Sequence, residues 1–125
     1  MTPLVFLALA LAGGVGAAAR LAVDGAVHSR ARGTVPWGTA IINISGSLLL
    51  GIVAGLTTSH VLPESWHLVI GSGLLGGYTT FSTASFESVR LAQGNGLVVG
   101  SLHGLGTLVG ATLAAGLGLW IGSLP

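Results

Sequence analysis

The chain has 125 residues, of which 51% are hydrophobic and only 6% are charged, and its mean hydropathy is +0.91. Soluble domains carry about a quarter charged residues, so this composition indicates an integral membrane protein and excludes an ordinary soluble fold. Four basic and three acidic residues give a net charge of +1, which excludes the clustered basic surface of a nucleic-acid-binding protein. The chain has no cysteine, so disulfides and thiolate chemistry are excluded.

Four apolar segments predict an all-α membrane protein with a single domain, residues 1–125. Helices rise 1.5 Å per residue, so each segment is long enough to cross a hydrocarbon core of about 30 Å. The predicted transmembrane helices cover residues 3–23, 36–58, 65–92 and 96–122.

Segment one is narrowed on one side by small residues at positions 13–17, which permit the close approach of another helix. Arg20 is predicted to lie about one turn before the end of this helix. An arginine there is either a snorkelling interfacial residue or a cation at the mouth of an anion path. Residues 24–35 are predicted to form a polar loop.

Segment two is predicted to start at Pro36, because proline favours the first helical position. A stripe of small and polar residues then recurs every four positions, which places them near one helix face. Four residues rotate about 40° beyond a full helical turn, so the stripe winds slowly around the helix. Its polar half and its glycine half are therefore predicted to face different neighbours, and the glycine half to serve packing. Its asparagine either has a functional role or makes an interhelical hydrogen bond. The stripe consists of Thr39, Asn43, Ser47, Gly51 and Gly55.

Segment three contains Gly76-Gly77 followed by several hydroxyl residues, and we predict that its helix breaks at residues 76–80 in the middle of the membrane. Unpaired backbone and hydroxyl groups cost several kcal/mol each in lipid, so they survive only inside protein or beside water. The first half of a broken helix ends in carbonyls that suit a cation, and the second half begins with N–H groups that suit an anion. The alternative is a simple kink at a helix crossing.

Segment four carries His103 and Thr107 four residues apart, so both lie on one helix face and extend the polar track. An intramembrane histidine is also a candidate proton relay or ligand, although no second histidine or carboxylate lies at a matching spacing. Its glycines at positions 100, 104, 106 and 110 are spaced for tight helix packing.

The arginines indicate the orientation of the chain. With four crossings, the loops after segments one and three lie on one side, and they carry Arg30, Arg32 and Arg90 with Arg20 nearby. The positive-inside rule makes this side cytoplasmic, so both termini are predicted to lie outside. We therefore expect a multi-pass protein of the cell inner (plasma) membrane.

Three motifs, at residues 13–20 (GGVGAAAR), 38–46 (GTAIINISG) and 76–83 (GGYTTFST), match one family pattern. Their order and spacing resemble the Fluc (CrcB) fluoride channels, small four-helix chains that assemble as antiparallel dimers. The resemblance covers essentially the whole chain. It implies passive, fluoride-selective export across the lipid bilayer.

The same resemblance assigns roles to single residues. It implies a structural sodium ion at the dimer centre, held by the backbone carbonyls of Gly76 and Thr79 from both subunits, and a vestibule cation at Arg20. Fluoride is small and strongly hydrated, so compact donors such as hydroxyls and amides suit it. Together with the polar track, the predicted pore-lining residues are Asn43, Phe81, Ser82, Thr83, Thr39, Thr107 and His103.

The chain also departs from the family pattern. Ala84 replaces the second phenylalanine of the motif, and Phe86 cannot readily substitute because it lies about 200° further round the helix. His103 stands where a tyrosine is expected. The role of Glu87 stays open, with a solvated carboxylate at the interface as the expectation. With the arginine bias, Ala84 suggests that the chain is one subunit of a heteromeric channel, inactive or weakly active alone.

Two other function classes compete with a fluoride channel. A small multidrug-type transporter needs a carboxylate inside segment one, but the only acids are Asp24, Glu64 and Glu87. A structural accessory subunit is the third class. No nucleophile and base pair, metal-ligand cluster or phosphate-binding loop is present, so an enzyme is not expected.

Overall fold

The computed structural model describes residues 1–125, and it consists of helices and short loops without any strand. Three helices are long and apolar enough to cross a membrane: α1 (Pro3–Arg30), α2 (Trp37–Thr58) and α6 (Leu97–Gly122). They correspond to predicted segments one, two and four, which confirms the all-α membrane architecture.

Segment three is interrupted inside the predicted window of residues 76–80, and the interruption is confined to the last two of these residues. It is helical through α3 (Glu64–Trp66), the wide π-helix π1 (His67–Leu75) and α4 (Gly76–Tyr78), and it resumes as α5 (Phe81–Asn95). Only Thr79 and Thr80 have extended backbone. Gly76 and Gly77 are therefore helical, and Gly77 serves packing, because a Cβ there would collide with the carbonyl oxygen of Gly13.

Helix α1 is longer than predicted and continues through the expected polar loop to Arg30. His28 and Arg30 lie in its last turn, where positive charge complements the helix dipole, and the Arg30 side chain donates to the Ala26 carbonyl at 3.4 Å. Arg20 therefore lies about 15 Å before the end of the helix rather than one turn before it.

The two halves of segment three pack against different helices. Helix α1 contacts π1 and α4, whereas α5 contacts α6. Helix α2 lies between them, packing on α6, α1 and π1, and its Ile42 is the most deeply buried large side chain at 1% exposure. The break thus lies where the chain passes from one pair of neighbours to the other.

Helices α2 and α6 meet backbone to backbone. A Cβ on Gly51 would collide with the Ala115 carbonyl, and a Cβ on Gly118 would collide with the Leu48 carbonyl. Gly55 and Gly122 make equally close approaches one turn further along. Small residues are the usual means of such close packing in membranes, and this confirms the packing role predicted for the glycine half of the α2 stripe.

The loop after α1 and the end of α5 lie at the same end of the molecule. The side chain of Asn95 donates a hydrogen bond of 3.1 Å to the Thr34 hydroxyl, which joins the two directly. The residues that carry the arginine bias are therefore on one side, as the sequence predicts.

Apolar side chains cover most of the outer surface. Leu4, Leu97 and Leu113 are among the most exposed, and the three tryptophans, at positions 37, 66 and 120, are more than half exposed near helix ends. Exposed tryptophans at such positions are typical of interfacial anchors. The surface is that of a protein surrounded by lipid.

Candidate ion pathway at the helix break

The broken backbone at Thr80 is stabilised by the side chain of Asn43. The Asn43 amide donates to the Thr80 carbonyl at 2.8 Å, and the Thr80 N–H donates to the Asn43 side-chain oxygen, also at 2.8 Å. Both residues are buried. Asn43 therefore replaces the helical partners that Thr80 has lost, which is the interhelical hydrogen bond considered from the sequence, and it retains one free amide hydrogen.

The first half of segment three ends in free carbonyl groups. The Thr79 N–H and hydroxyl both donate to the Leu75 carbonyl at 2.9 Å, and no donor reaches the four carbonyls that follow. Free carbonyls at a helix C-terminus carry partial negative charge. These oxygens, which suit a hard cation, belong to Gly76, Gly77, Tyr78 and Thr79.

Helix α5 begins with free N–H groups. The Thr80 hydroxyl caps the helix by accepting from the Thr83 N–H at 3.2 Å, whereas the N–H groups of Phe81 and Ser82 have no acceptor. The N-terminus of a helix attracts anions through these groups and through its dipole. The break thus presents negative carbonyls on one side and positive N–H groups on the other.

A cleft of about 430 Å³ opens beside the break, between α2, α5 and α6. Hydroxyls dominate its polar wall. Those of Ser85 and Ser88 reach carbonyls one turn earlier in α5, whereas Ser47 and Thr107 have no hydrogen-bond partner in the protein. The cleft therefore offers hydroxyl donors that make no hydrogen bond within the protein, opposite the start of α5.

The structure brings only part of the predicted pore together. Asn43, Phe81, Ala84 and Thr107 line the cleft, as does the sodium candidate Thr79. Thr39 and His103 are buried but do not line it, and Ser82 and Thr83 lie on the exposed start of α5. The remaining predicted site residues, Arg20 on α1 and Gly76 on α4, are outside the cleft.

Ser47 and Ser88 line the cleft but were not predicted to do so. Ser85 also lines it and belongs to the run of hydroxyl residues after Gly76-Gly77 that was predicted to face protein or water. Ser47 follows Asn43 by four residues, so the period of the α2 stripe was a sufficient signal for it. Ser88 carried no such signal, because its position depends on the packing of α5 against α6.

Glu87 is not the solvated carboxylate that was expected. It is half-buried, and its Oε2 is buried without a hydrogen-bond partner. With Asp24 and His28 it lines a separate cavity of about 90 Å³ at the arginine-bearing end. The extra turns of α1 account for this difference, because Asp24, Val27 and His28 from those turns line the same cavity as Glu87.

The face that carries the break is open in the single chain. Phe81 is 84% exposed, and Ser82, Thr83 and Gly76 are exposed beside it. Hydrocarbon cannot satisfy free carbonyls, N–H groups or hydroxyls, so these groups require protein or water in a membrane. An isolated chain in lipid would leave this site incomplete.

Residues 7–119 match the family described as CrcB-like protein, Camphor Resistance (CrcB). A fluoride-specific ion channel FluC 1 from Leifsonia xyli is 54% identical over 124 residues, which is 99% of this chain and 90% of the relative. A FluC 2 from Cutibacterium acnes is 45% identical over 96% of this chain and 98% of the relative. A FluC 2 from Mycobacterium tuberculosis is 37% identical over 99% of this chain and 95% of the relative.

Proposed function

The chain belongs to the CrcB family, and from this membership and the helix break we propose that it is a fluoride-selective ion channel that exports fluoride passively. The observation that carries the proposal is the pair of free N–H groups at Phe81 and Ser82, which lie beside a hydroxylated cleft. They supply compact donors to a small anion that must lose its water, and a channel of this kind is not an enzyme.

The donors along this path are neutral. The helix start at Phe81, the free hydroxyls of Ser47 and Thr107, and the spare amide hydrogen of Asn43 all attract an anion without a full charge. The edge of the exposed Phe81 ring adds weak attraction. Neutral donors bind fluoride weakly enough for it to leave, which conduction requires.

A second subunit in the opposite orientation completes the site. Exposed polar groups at Gly76, Phe81 and Ser82 support this assembly, because a partner that presents the same face would cover them and exclude lipid. The proposed unit is therefore an antiparallel dimer in the cell inner membrane. The copy that follows the positive-inside rule has its arginine-bearing end at the cytoplasm and both termini outside, and its antiparallel partner has the inverted orientation.

The free carbonyls of Gly76 and Thr79 fit a structural sodium ion. Oxygen donors suit a hard cation, and these two accept no hydrogen bond within the chain. No group of three or more histidine and acidic side chains provides a competing site. Bound sodium would neutralise the carbonyl charge between the two subunits and stabilise the dimer.

Removal of sodium should weaken the assembly. We expect the dimer purified in potassium or a bulky organic cation to dissociate at about tenfold lower detergent-to-protein ratios than in sodium, because sodium binding to the assembled state stabilises it by mass action. Analytical ultracentrifugation in each salt measures this. Equal dissociation in all salts would contradict the sodium proposal and leave the channel proposal intact.

The alternative of a heteromeric channel is supported by one observation. Ala84 leaves the cleft open where a large side chain would partly fill it, so the two paths of a dimer need not be equivalent. In this alternative the partner is a homologous subunit of fixed, opposite orientation, and the chain alone conducts weakly or not at all.

Fluoride efflux from liposomes tests the proposal. We expect the purified chain to release loaded fluoride at least about 100-fold faster than chloride, because only the smaller anion gains enough from compact donors, each tenfold step requiring about 1.4 kcal/mol. Cation dye efflux that exceeds fluoride efflux would favour a multidrug-type transporter. If the purified chain conducts no fluoride by itself but conducts after co-expression with a homologous chain, the heteromer is favoured. If neither preparation conducts fluoride, the proposed function is contradicted.

A further inference from the structure

Tyr78 is the last helical residue before the break, and its side chain joins the break to α2. Its hydroxyl lies 3.1 Å from the Ser45 hydroxyl, which itself donates to the Ile42 carbonyl at 3.3 Å. Because the serine hydrogen is used on this carbonyl, the Tyr78 hydroxyl is the donor to Ser45. Two hydrogen bonds therefore run in sequence from the end of α4 to one turn of α2.

Two glycines make room for Tyr78 between α1 and α2. A Cβ on Gly46 of α2 would lie 3.0 Å from Cδ1 of the Tyr78 ring and closer still to the Thr79 methyl group. From α1, a Cβ on Gly16 would lie 2.9 Å from the Tyr78 nitrogen. Tyr78 is therefore confined between the two helices, and Ser45 is the hydrogen-bond partner of its side chain there.

The same turn of α2 holds both sides of the break. Ser45 binds the residue before the interruption, and Asn43, two positions earlier, binds Thr80 after it. Thr79 lies between them and forms no hydrogen bond to α2. Each residue of an extended linker has two soft dihedral angles, so the linker alone does not fix the free carbonyls relative to the free N–H groups of α5. Helix α2 supplies that constraint.

We propose that Tyr78 is the positioning residue for the carbonyl side of the break and acts through its hydroxyl bond to Ser45, an inference that rests on the proposed function. Neither Tyr78 nor Ser45 lines the cleft, so their effect on the pathway passes through the backbone that they hold. Groups that bind an ion together must be held to within about 0.5 Å of the productive geometry. The tyrosine bond provides this for the free carbonyls of residues 76–79.

The other hydroxyls beside the break have different partners. Thr79 donates to the Leu75 carbonyl of its own helical half, and Thr80 caps α5. A second side-chain contact from this half of segment three to α2, between His67 and Thr57 at 3.3 Å, lies at the start of π1. This contact is too remote to hold the break, and it therefore supplies a matched control.

Tyr78→Phe removes the hydroxyl and keeps the ring that packs on Gly46. We expect fluoride efflux from liposomes to fall about fivefold, since a hydrogen bond of this kind is worth about 1 kcal/mol. Ser45→Ala removes the acceptor and should give the same loss. The double variant should lose no more than either single variant, because one bond is lost only once.

Thr57→Ala is the matched control for Ser45→Ala. The Thr57 hydroxyl also donates to a carbonyl of α2, that of Val53 at 2.8 Å, and also contacts a side chain of segment three. Its loss should change fluoride efflux less than about twofold, because the contact lies away from the break. A loss as large as that of Ser45→Ala would show that any contact between these helices matters equally, which would overturn the inference.

Hydrogen–deuterium exchange separates positioning from general loss of stability. The Thr79 amide, which donates to Leu75 at 2.9 Å, should exchange at least about fivefold faster in Tyr78→Phe, while the amides of α2 and α6 keep their rates. Faster exchange in all three helices, unchanged exchange at Thr79, or additive flux losses in the double variant would each overturn this inference. Absence of fluoride flux in the unaltered protein would overturn the proposed function, and exchange at Thr79 would still decide whether Tyr78 holds the break.

Discussion

Replacement of Asn43 by leucine should reduce fluoride flux at least about 100-fold. The substitution removes both 2.8 Å hydrogen bonds to Thr80 and leaves the N–H and carbonyl of that residue buried without partners. Each unsatisfied group costs about 1–3 kcal/mol, so the break would lose about 2–6 kcal/mol in total. A factor of 100 in flux corresponds to about 2.7 kcal/mol, which lies inside this range.

Asn95→Leu provides the matched control. Asn95 also donates through its side chain, to Thr34 at 3.1 Å, but this bond is exposed to solvent and joins the end of α5 to the loop after α1. Its loss should change flux less than about twofold, because water replaces the missing partner. The comparison separates the position of the asparagine from the chemistry of the substitution.

Hydrogen–deuterium exchange shows which step fails in Asn43→Leu. If the side chain maintains the break, the Thr80 amide should exchange much faster in the variant than in the unaltered protein. If Asn43 acts only as a donor to fluoride, flux should fall while that exchange rate stays unchanged. A folded variant with normal flux would remove Asn43 from the pathway.

Gly118→Ala should destabilise the fold by about 1–3 kcal/mol or more. The new methyl group would collide with the Leu48 carbonyl and approach the Ile52 nitrogen at 2.9 Å. These are backbone atoms of α2, which cannot rotate away as a flexible side chain does, so the two helices must separate. Thermal or denaturant unfolding in detergent, followed by tryptophan fluorescence, measures the loss.

Gly116→Ala is the control for this prediction and should shift stability in the opposite direction. Gly116 lies in the same helix, but a Cβ there has no atom within 4 Å. Alanine is a better helix former than glycine by about 1 kcal/mol, so this variant should be neutral or slightly more stable. Equal effects of the two substitutions would show that the α2–α6 contact is looser than the structure indicates.

Helix periodicity and the cost of polar groups in lipid were sufficient to predict the four segments and the interruption of the third. The exact break was not predictable from Gly76-Gly77, because glycine serves either a break or a close contact, and here Gly77 fits against Gly13. Only the position of α1 decides between the two. The hydroxyls that follow were the better signal, since the extended residues are Thr79 and Thr80.

The cleft was predictable in part for a similar reason. Asn43 and Thr107 follow a helical period, so the sequence placed them on interior faces, and both line the cleft. The contact between His103 and Ser88 depends on the crossing of two helices, which no local pattern specifies. Residues that meet across a crossing require the packing to be known.

The division of segment three between two sets of neighbours has a consequence for biogenesis. Residues 64–78 and 81–95 each form about 22 Å of helix, so neither can cross the bilayer by itself. The first half can dock on α1, which the ribosome has already delivered, but α5 must wait for α6, which follows it in the chain. Segment three therefore completes its insertion only when α6 leaves the translocon.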